Sequence, residues 1–159
     1  KISFLKYVPM NEQPDLQIMR THSSPQRDDA FFVREKVFIE EQRIPPEEEY
    51  DQWEDSALHL ILYWNSQAVG TTRVRKSDGK FLIERVAVLE NFRRKGLASL
   101  LLKEAESIAR EWKVEECVLG AQIAVRKFYE GLGYRPITGE VYEEVGIPHV
   151  KMRKKLIRE

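Results

Sequence analysis

Residues 84–109 read ERVAVLENFRRKGLASLLLKEAESIA, and within this stretch the period of the hydrophobic pattern changes. Up to Val88 the apolar residues suit a strand. From Gly96 onward Leu97, Leu100, Leu101, Ala105, Ile108, Ala109 and Trp112 recur at helical spacing, enough for about four turns with one apolar face. Between the two segments Arg93, Arg94 and Lys95 stand directly before a glycine. Cations are disfavoured at a helix N-terminus by ~0.3–1 kcal/mol each, because the helix dipole already places partial positive charge there. A strand feeding a tight loop into a helix start also offers unpaired backbone amides, and Gly96 lets an anion approach them closely. A bound diphosphate accounts for both the cations and the glycine; a solvated basic loop closed by a turn glycine is the other reading. No GxxxxGK[ST] and no GxGxxG occurs, so nucleoside triphosphate and dinucleotide sites lose their main support.

Working outward, ECVLGA (116–121) is the next strand, and a long helix between two apolar strands predicts a right-handed crossover and a parallel pair. Upstream, ALHLILYW (57–64), AVGTTRVR (68–75) and FLIERVAV (81–88) are joined by short turn-forming segments, which predicts an antiparallel meander. Alternation in the last of these puts Leu82, Glu84, Val86 and Val88 on one face. Ser24-Pro25 starts a helix running to about Glu41, with Ala30, Phe31, Val33, Val37 and Phe38 on one face and Arg34 and Glu41 in the middle of it. Pro45-Pro46 cannot continue a helix, so the acidic segment 43–55, which carries Tyr50 and Trp53, reads as a loop. Short strands are expected at 1–10 and 16–20, a helix at about 124–131, and two final strands near 140–143 and 149–156 around the turn VGIP. The order predicts an α/β (α+β) fold: a mixed, mostly antiparallel sheet with helices on both faces, in one domain spanning 1–159.

Lys plus Arg and Asp plus Glu each number 26, so no global field draws the chain to nucleic acid or to an anionic membrane. Cys117 is the only cysteine, which excludes an internal disulfide framework and a cysteine-rich zinc site and suits a reducing, cytoplasmic setting. No apolar run approaches the ~20 residues of a membrane span, and the start at Lys1 lacks a secretion pattern. No metal is expected.

Two motifs carry a family resemblance. Arg93, Gly96 and Ala98 fit [RQ]-x-x-G-x-[GA], and GAQIAVRKFYEGLGY (120–134) sets Gln122 and Val125 ahead of Phe128-Tyr129 and Gly133-Tyr134. Together they resemble the acetyl-CoA-binding core of the GNAT superfamily of N-acetyltransferases, over about residues 16–156. VREKVFIEEQRIPPEEEYD (33–51) and EVGIPHVKM (144–152) are similar to its ElaA/YjcF-like branch, related to glyphosate N-acetyltransferases. The resemblance implies a GNAT fold whose sheet splays between the fourth and fifth strands, those carrying Val88 and Cys117. It implies acetyl-CoA as cosubstrate: backbone groups of Val86, Ala87 and Val88 pair with the pantetheine arm, and Arg93, Arg94, Lys95, Gly96, Leu97 and Ala98 hold the pyrophosphate. Gln122, at the family's Asn position, and Phe128 complete the cofactor side. Dimers are common in the family, which makes a homodimer a possible partner state.

Acetyl transfer to an alkylamine needs two proton steps, because an ammonium with a pKa near ~10 cannot attack and a departing thiolate gains from an acid. The resemblance makes Tyr129 that acid; a packed helix aromatic is the alternative. For the base, His149 is implied as a catalytic or substrate-orienting residue, with a strand-capping histidine as the alternative, and Glu84 is the second candidate. His22 lies in a polar loop and is assigned no role, and His59, mid-strand in ALHLILY, reads as a satisfied structural histidine. Arginines that hold the anionic substrate of the glyphosate-acetylating relatives fall at Ile39, Glu84 and Gln122 here, so a glyphosate-like acceptor is disfavoured. Glu41, Glu84 and the acidic 47–55 segment point instead to an amine-bearing small molecule, with Glu41 and His149 on the substrate side. Two functional readings follow: direct transfer in a ternary complex, with no covalent intermediate on Cys117, or a catalytically silent CoA-binding sensor or interaction module.

Overall fold

The structure is a computed structural model and describes residues 13–156; the strand expected at 1–10 lies outside them. The elements run β1 (Leu16–Thr21), α1 (Gln26–Arg34), a π-helical segment (Glu35–Glu41), α2 (Pro46–Glu49), β2 (Leu58–Trp64), β3 (Gln67–Ser77) and β4 (Lys80–Val88). A 3-10 turn (Glu90–Phe92) leads to α3 (Leu97–Glu111) and β5 (Glu116–Gln122). A second one (Ile123–Val125) leads to α4 (Arg126–Gly131), β6 (Arg135–Glu144) and β7 (Ile147–Lys155). The seven strands form one sheet in the order β1-β2-β3-β4-β5-β7-β6. Every neighbouring pair is antiparallel except β4 and β5, which the α3 crossover makes parallel.

Alternation along the strands separates two cores. Leu60 and Leu62 of β2 pack with Leu101, Leu102, Ala105 and Ile108 of α3, while Ile61 between them packs with Ala30, Val33 and Val37 on the opposite face. Helices therefore cover both faces, each held by its own apolar stripe. No helix among the described residues is long and apolar enough to cross a membrane.

Three local departures from the sequence expectations shape the site. The segment expected as a loop at 43–55 contains α2, because Pro46 supplies a preset φ at the first helical position and Glu47, Glu48 and Glu49 follow in the first turn, where acids are favoured. The helix expected to start at Ser24-Pro25 begins at Gln26 and is continuous to Glu41, but its last seven residues are π-helical. The wider turn changes the angular step per residue, so Arg34 is fully buried as the helical wheel implies while Glu41 is exposed instead of facing inward. Finally, the β3–β4 register shifts between Thr71↔Ala87 and Arg73↔Glu84, and Arg85 adopts a left-handed φ of 56°. This bulge reverses the alternation. Phe81 and Ile83 before it, and Val88 after it, all face the α3 core, whereas Ala87 faces α1. Glu84 thus does not share a face with Val86 and Val88.

Candidate active site

Pairing between β4 and β5 is confined to Phe81↔Cys117 and Leu82↔Val118. Beyond these residues the strands part, and from Ile83 to Val88 the β5-facing edge of β4 has no ladder partner among the described residues. The splay expected between the fourth and fifth strands is therefore present. A cavity of about 600 Å³ fills the opening, bounded by Val86 and Val88 of β4, Leu119 and Gln122 of β5, Tyr129 of α4 and His149 of β7.

At the end of β4 the chain turns into α3 through two left-handed residues, Arg94 (φ 63°) and Gly96 (φ 76°), the latter standing at the helix N-cap. No side chain caps the helix, so its first amides are left for solvent or a ligand. A Cβ on Gly96 would meet nothing within 4 Å; the glycine is required by its backbone conformation, not by crowding from the protein. Arg94 and Lys95 are exposed and form no ion pair among the described residues, although the Lys95 ammonium lies 5.8 Å from the centre of the Trp64 ring. Arg93 is engaged: Nε donates to the Val88 carbonyl at 2.9 Å, and Nη1 and Nη2 donate to the two Glu41 oxygens at 3.0 and 2.7 Å.

Tyr129 is 7% exposed and lines the cavity, wedged edge-on between Phe128 and Tyr134. Burial raises its pKa, so the phenol keeps its proton and remains a donor. Its hydroxyl makes no hydrogen bond among the described residues, in contrast to Tyr134, whose hydroxyl donates to Glu106 at 3.1 Å. His149 is also 7% exposed, and its Nδ1 lies 2.6 Å from the Ile147 carbonyl. A carbonyl can only accept, so Nδ1 carries the proton and Nε2 of the neutral ring keeps its lone pair. Tyr142 stacks on the imidazole with ring centres 5.7 Å apart and planes at 25°. Gly120 makes room for this arrangement: a Cβ there would stand 2.5 Å from the Tyr142 hydroxyl oxygen. Residues 22–156 match the family model for the acetyltransferase (GNAT) domain.

The chain belongs to the GNAT acetyltransferase family. Among its relatives, the uncharacterized N-acetyltransferase YjcF of Bacillus subtilis is 37% identical over 126 residues, covering 79% of this chain and 90% of that protein. ElaA of Escherichia coli is 34% identical over 131 residues, covering 79% of this chain and 85% of ElaA. The crystal structure of ElaA superposes with a TM-score of 0.76 at 30% identity over 90% of this chain and 100% of that one. An acyl-CoA N-acyltransferase from Pseudomonas aeruginosa gives 0.77 at 27% identity over 89% of this chain and 99% of that one.

Against the GNAT motifs, the remaining candidate residues divide. Tyr129, His149, Glu84, Val86, Ala87, Val88, Arg93 and Gln122 all reach one cavity. Arg94, Lys95, Gly96, Leu97 and Ala98 lie beside it at the α3 start, and Phe128 packs against the α3 core. Glu41 borders a separate depression of about 370 Å³ and pairs with Arg93. Gln122 is bonded to Gln42, its Nε2 donating to Gln42 Oε1 at 2.9 Å. Both carboxylate oxygens of Glu84 are occupied: Oε2 accepts from Arg73 Nε at 2.9 Å and also from Arg73 Nη2, and Oε1 accepts from Arg75 Nε at 3.0 Å. Cys117 is fully buried and burial pushes its thiol up to about 12, which leaves no thiolate for nucleophilic work. Among the described residues no group of three or more His, Cys, Asp or Glu could hold a metal ion. Tyr142 and Arg85 escaped the sequence reading. The one usable signal was the VGIP turn. Val145 and Gly146 both have positive φ, the two-residue hairpin pattern, and this register sets Tyr142 directly opposite His149.

Proposed function

We propose that this GNAT protein moves the acetyl group of acetyl-CoA directly onto the amine of a small molecule held in the cavity. The observation that carries the reading is the pairing of a buried, protonated Tyr129 hydroxyl with the free Nε2 of His149 on the walls of one cavity. The chain's own groups fit the donor at three places: the unpaired β4 edge beyond Leu82 suits the amides of a pantetheine arm, the α3 N-terminus with Gly96 suits a diphosphate, and Arg94 and Lys95 supply cations for it. The cavity, about 600 Å³, is of the size that encloses small-molecule ligands.

In this scheme His149 Nε2 takes a proton from the acceptor ammonium. The freed nitrogen lone pair forms the C–N bond as the C–S bond breaks, the Tyr129 hydroxyl gives its proton to the departing sulfur, and the second proton shed by the acylated nitrogen restores the phenol while His149 passes the first to solvent. Holding both reactants in one slot contributes on the order of 7 kcal/mol or more through orientation alone. His149 is preferred to Glu84 as base because both Glu84 oxygens are taken by arginines. The buried Cys117 favours direct transfer over a covalent intermediate. The experiment is release of free CoA thiol from acetyl-CoA in the presence of an amine panel. Acetyl-CoA binding with no thiol release for any amine would make the protein a sensor, and failure to bind CoA would remove both readings.

A further inference from the structure

Four arginines and four carboxylates meet along one wall of the cavity: Arg34, Arg73, Arg75 and Arg85 against Glu49, Asp51, Glu54 and Glu84. The charges balance, but the hydrogen-bonding capacities do not. Asp51 Oδ1 accepts from Arg73 Nη1 at 2.7 Å and from the Trp53 amide at 2.9 Å, and Oδ2 accepts from Arg73 Nη2 at 3.0 Å and Arg85 Nη2 at 3.4 Å. Glu84 is bound at both oxygens, and Glu49 is paired with Arg34 and Arg85 with its side chain only 3% exposed. Of the acidic residues that the sequence offers to an amine, Glu41, Glu49, Asp51, Glu54 and Glu84 are therefore already paired with arginines, which leaves Glu48 at the rim.

Donors, by contrast, are left over. Arg73 is fully engaged and its side chain is 2% exposed, but Arg75 and Arg85 are each 20% exposed and line the cavity. Arg75 spends Nε and Nη2 on Glu84; Arg85 spends Nε and Nη2 on the Glu49 carbonyl and Asp51. Nη1 of each has no partner among the described residues. The Arg75 guanidinium is braced 4.3 Å from the centre of the Trp53 ring, and the bulge at Arg85 is what turns its side chain out of strand alternation. Lys151, which also lines the cavity, adds an ammonium with no ion pair among the described residues, and Glu48 and Glu144 sit exposed at the rim.

A wall with occupied acceptors and spare guanidinium N–H groups lacks an oxyanion, for which arginine has matching planar geometry. We propose that the acceptor is an amine that also carries a carboxylate, an amino acid or amino-acid-like molecule, with the carboxylate bound by Arg75 and Arg85 and the ammonium presented to His149. This rests on the acetyltransferase reading above and names its substrate class.

The test measures binding and turnover separately. Calorimetric titration of the CoA-saturated protein, and thiol release from acetyl-CoA, are run with α-, β- and γ-amino acids, each beside its own carboxamide and its decarboxylated amine. The proposal expects at least one acid to bind, and to react, tenfold or more better than its carboxamide and its decarboxylated amine. It also expects that advantage to shrink to threefold or less in Arg85→Gln or Arg75→Gln. Carboxamides or plain amines matching or exceeding every acid in the wild-type protein would overturn the carboxylate site while leaving the transferase intact. A binding preference for acids without thiol release for any of them would uphold the site and overturn the transferase reading. The wild-type comparison decides the matter even where a variant does not fold.

Discussion

At the scale of single residues the account rests on two side chains whose surroundings fix their protons. Burial keeps the Tyr129 phenol protonated, and the Ile147 carbonyl keeps the His149 proton on Nδ1. Tyr129 is legible from the FYEGLGY motif and His149 from the GIPH turn, because both sit in short local patterns. Arg85 is not, since its placement depends on a bulge that no local pattern announces, and Tyr142 is legible only through the VGIP turn that sets the β6–β7 register. Nor does the sequence show that Glu84 and Glu41 are bound by arginines, because those partners come from other elements. Gly120 tests the His149 arrangement from a distance. Alanine there would drive its Cβ against the Tyr142 hydroxyl, 2.5 Å away, and force that ring off the imidazole. Gly120→Ala should lower kcat by about tenfold with stability little changed, because the clash falls on the outer end of a half-buried ring, measured by steady-state thiol release and urea unfolding. An unchanged kcat would show that the stack does not position His149.

At the scale of elements, the parallel β4–β5 pair and its α3 crossover follow from the change of period at Gly96, which is why this part of the fold can be read directly. The π-helical end of the first helix and the short α2 cannot: one depends on tertiary packing, the other on a proline pair that breaks one helix and starts the next. In the proposed reaction the junction of β4 with α3 holds the donor, offering an open strand edge and then a helix N-terminus with a left-handed glycine. Gly96→Ala puts a Cβ into that conformation at a cost of ~1–2 kcal/mol, and into the space a diphosphate needs. The expected outcome is an acetyl-CoA KM raised about tenfold, with the amine KM little changed. An amine KM that rises instead would move the donor site away from the α3 start.

At the scale of the whole molecule, the buried arginine–carboxylate network joins α1, α2 and the segment after it to β3 and β4, and it sets the response to acid. Burial pushes the Glu54 carboxyl up, but hydrogen bonds and charge from Arg34, together with Arg73, outweigh this and hold it at about 2, below its ordinary 4.5. A carboxyl so depressed contributes stability that is complete above pH 4.5 and is lost as pH falls toward 2. His59 is fully buried, with Nε2 2.8 Å from the Glu54 carbonyl, and burial lowers its pKa. The unfolded chain therefore takes up that proton first, and stability begins to fall below pH 6.5. Melting temperature should decline from neutral to acid pH, with Glu49, whose carboxyl burial pushes up, offsetting part of the fall; His59→Gln, which keeps a donor for the carbonyl, should flatten the part of the decline just below pH 6.5, and an identical profile would remove His59 from the account. The cavity around which this frame is built is where the central claim is most directly tested, by kcat for thiol release with the best acceptor in wild type and Tyr129→Phe. The account predicts a fall of about 10²-fold or more, with the acetyl-CoA KM changed by no more than about twofold. A Tyr129→Phe protein that turns over as fast as wild type would contradict it.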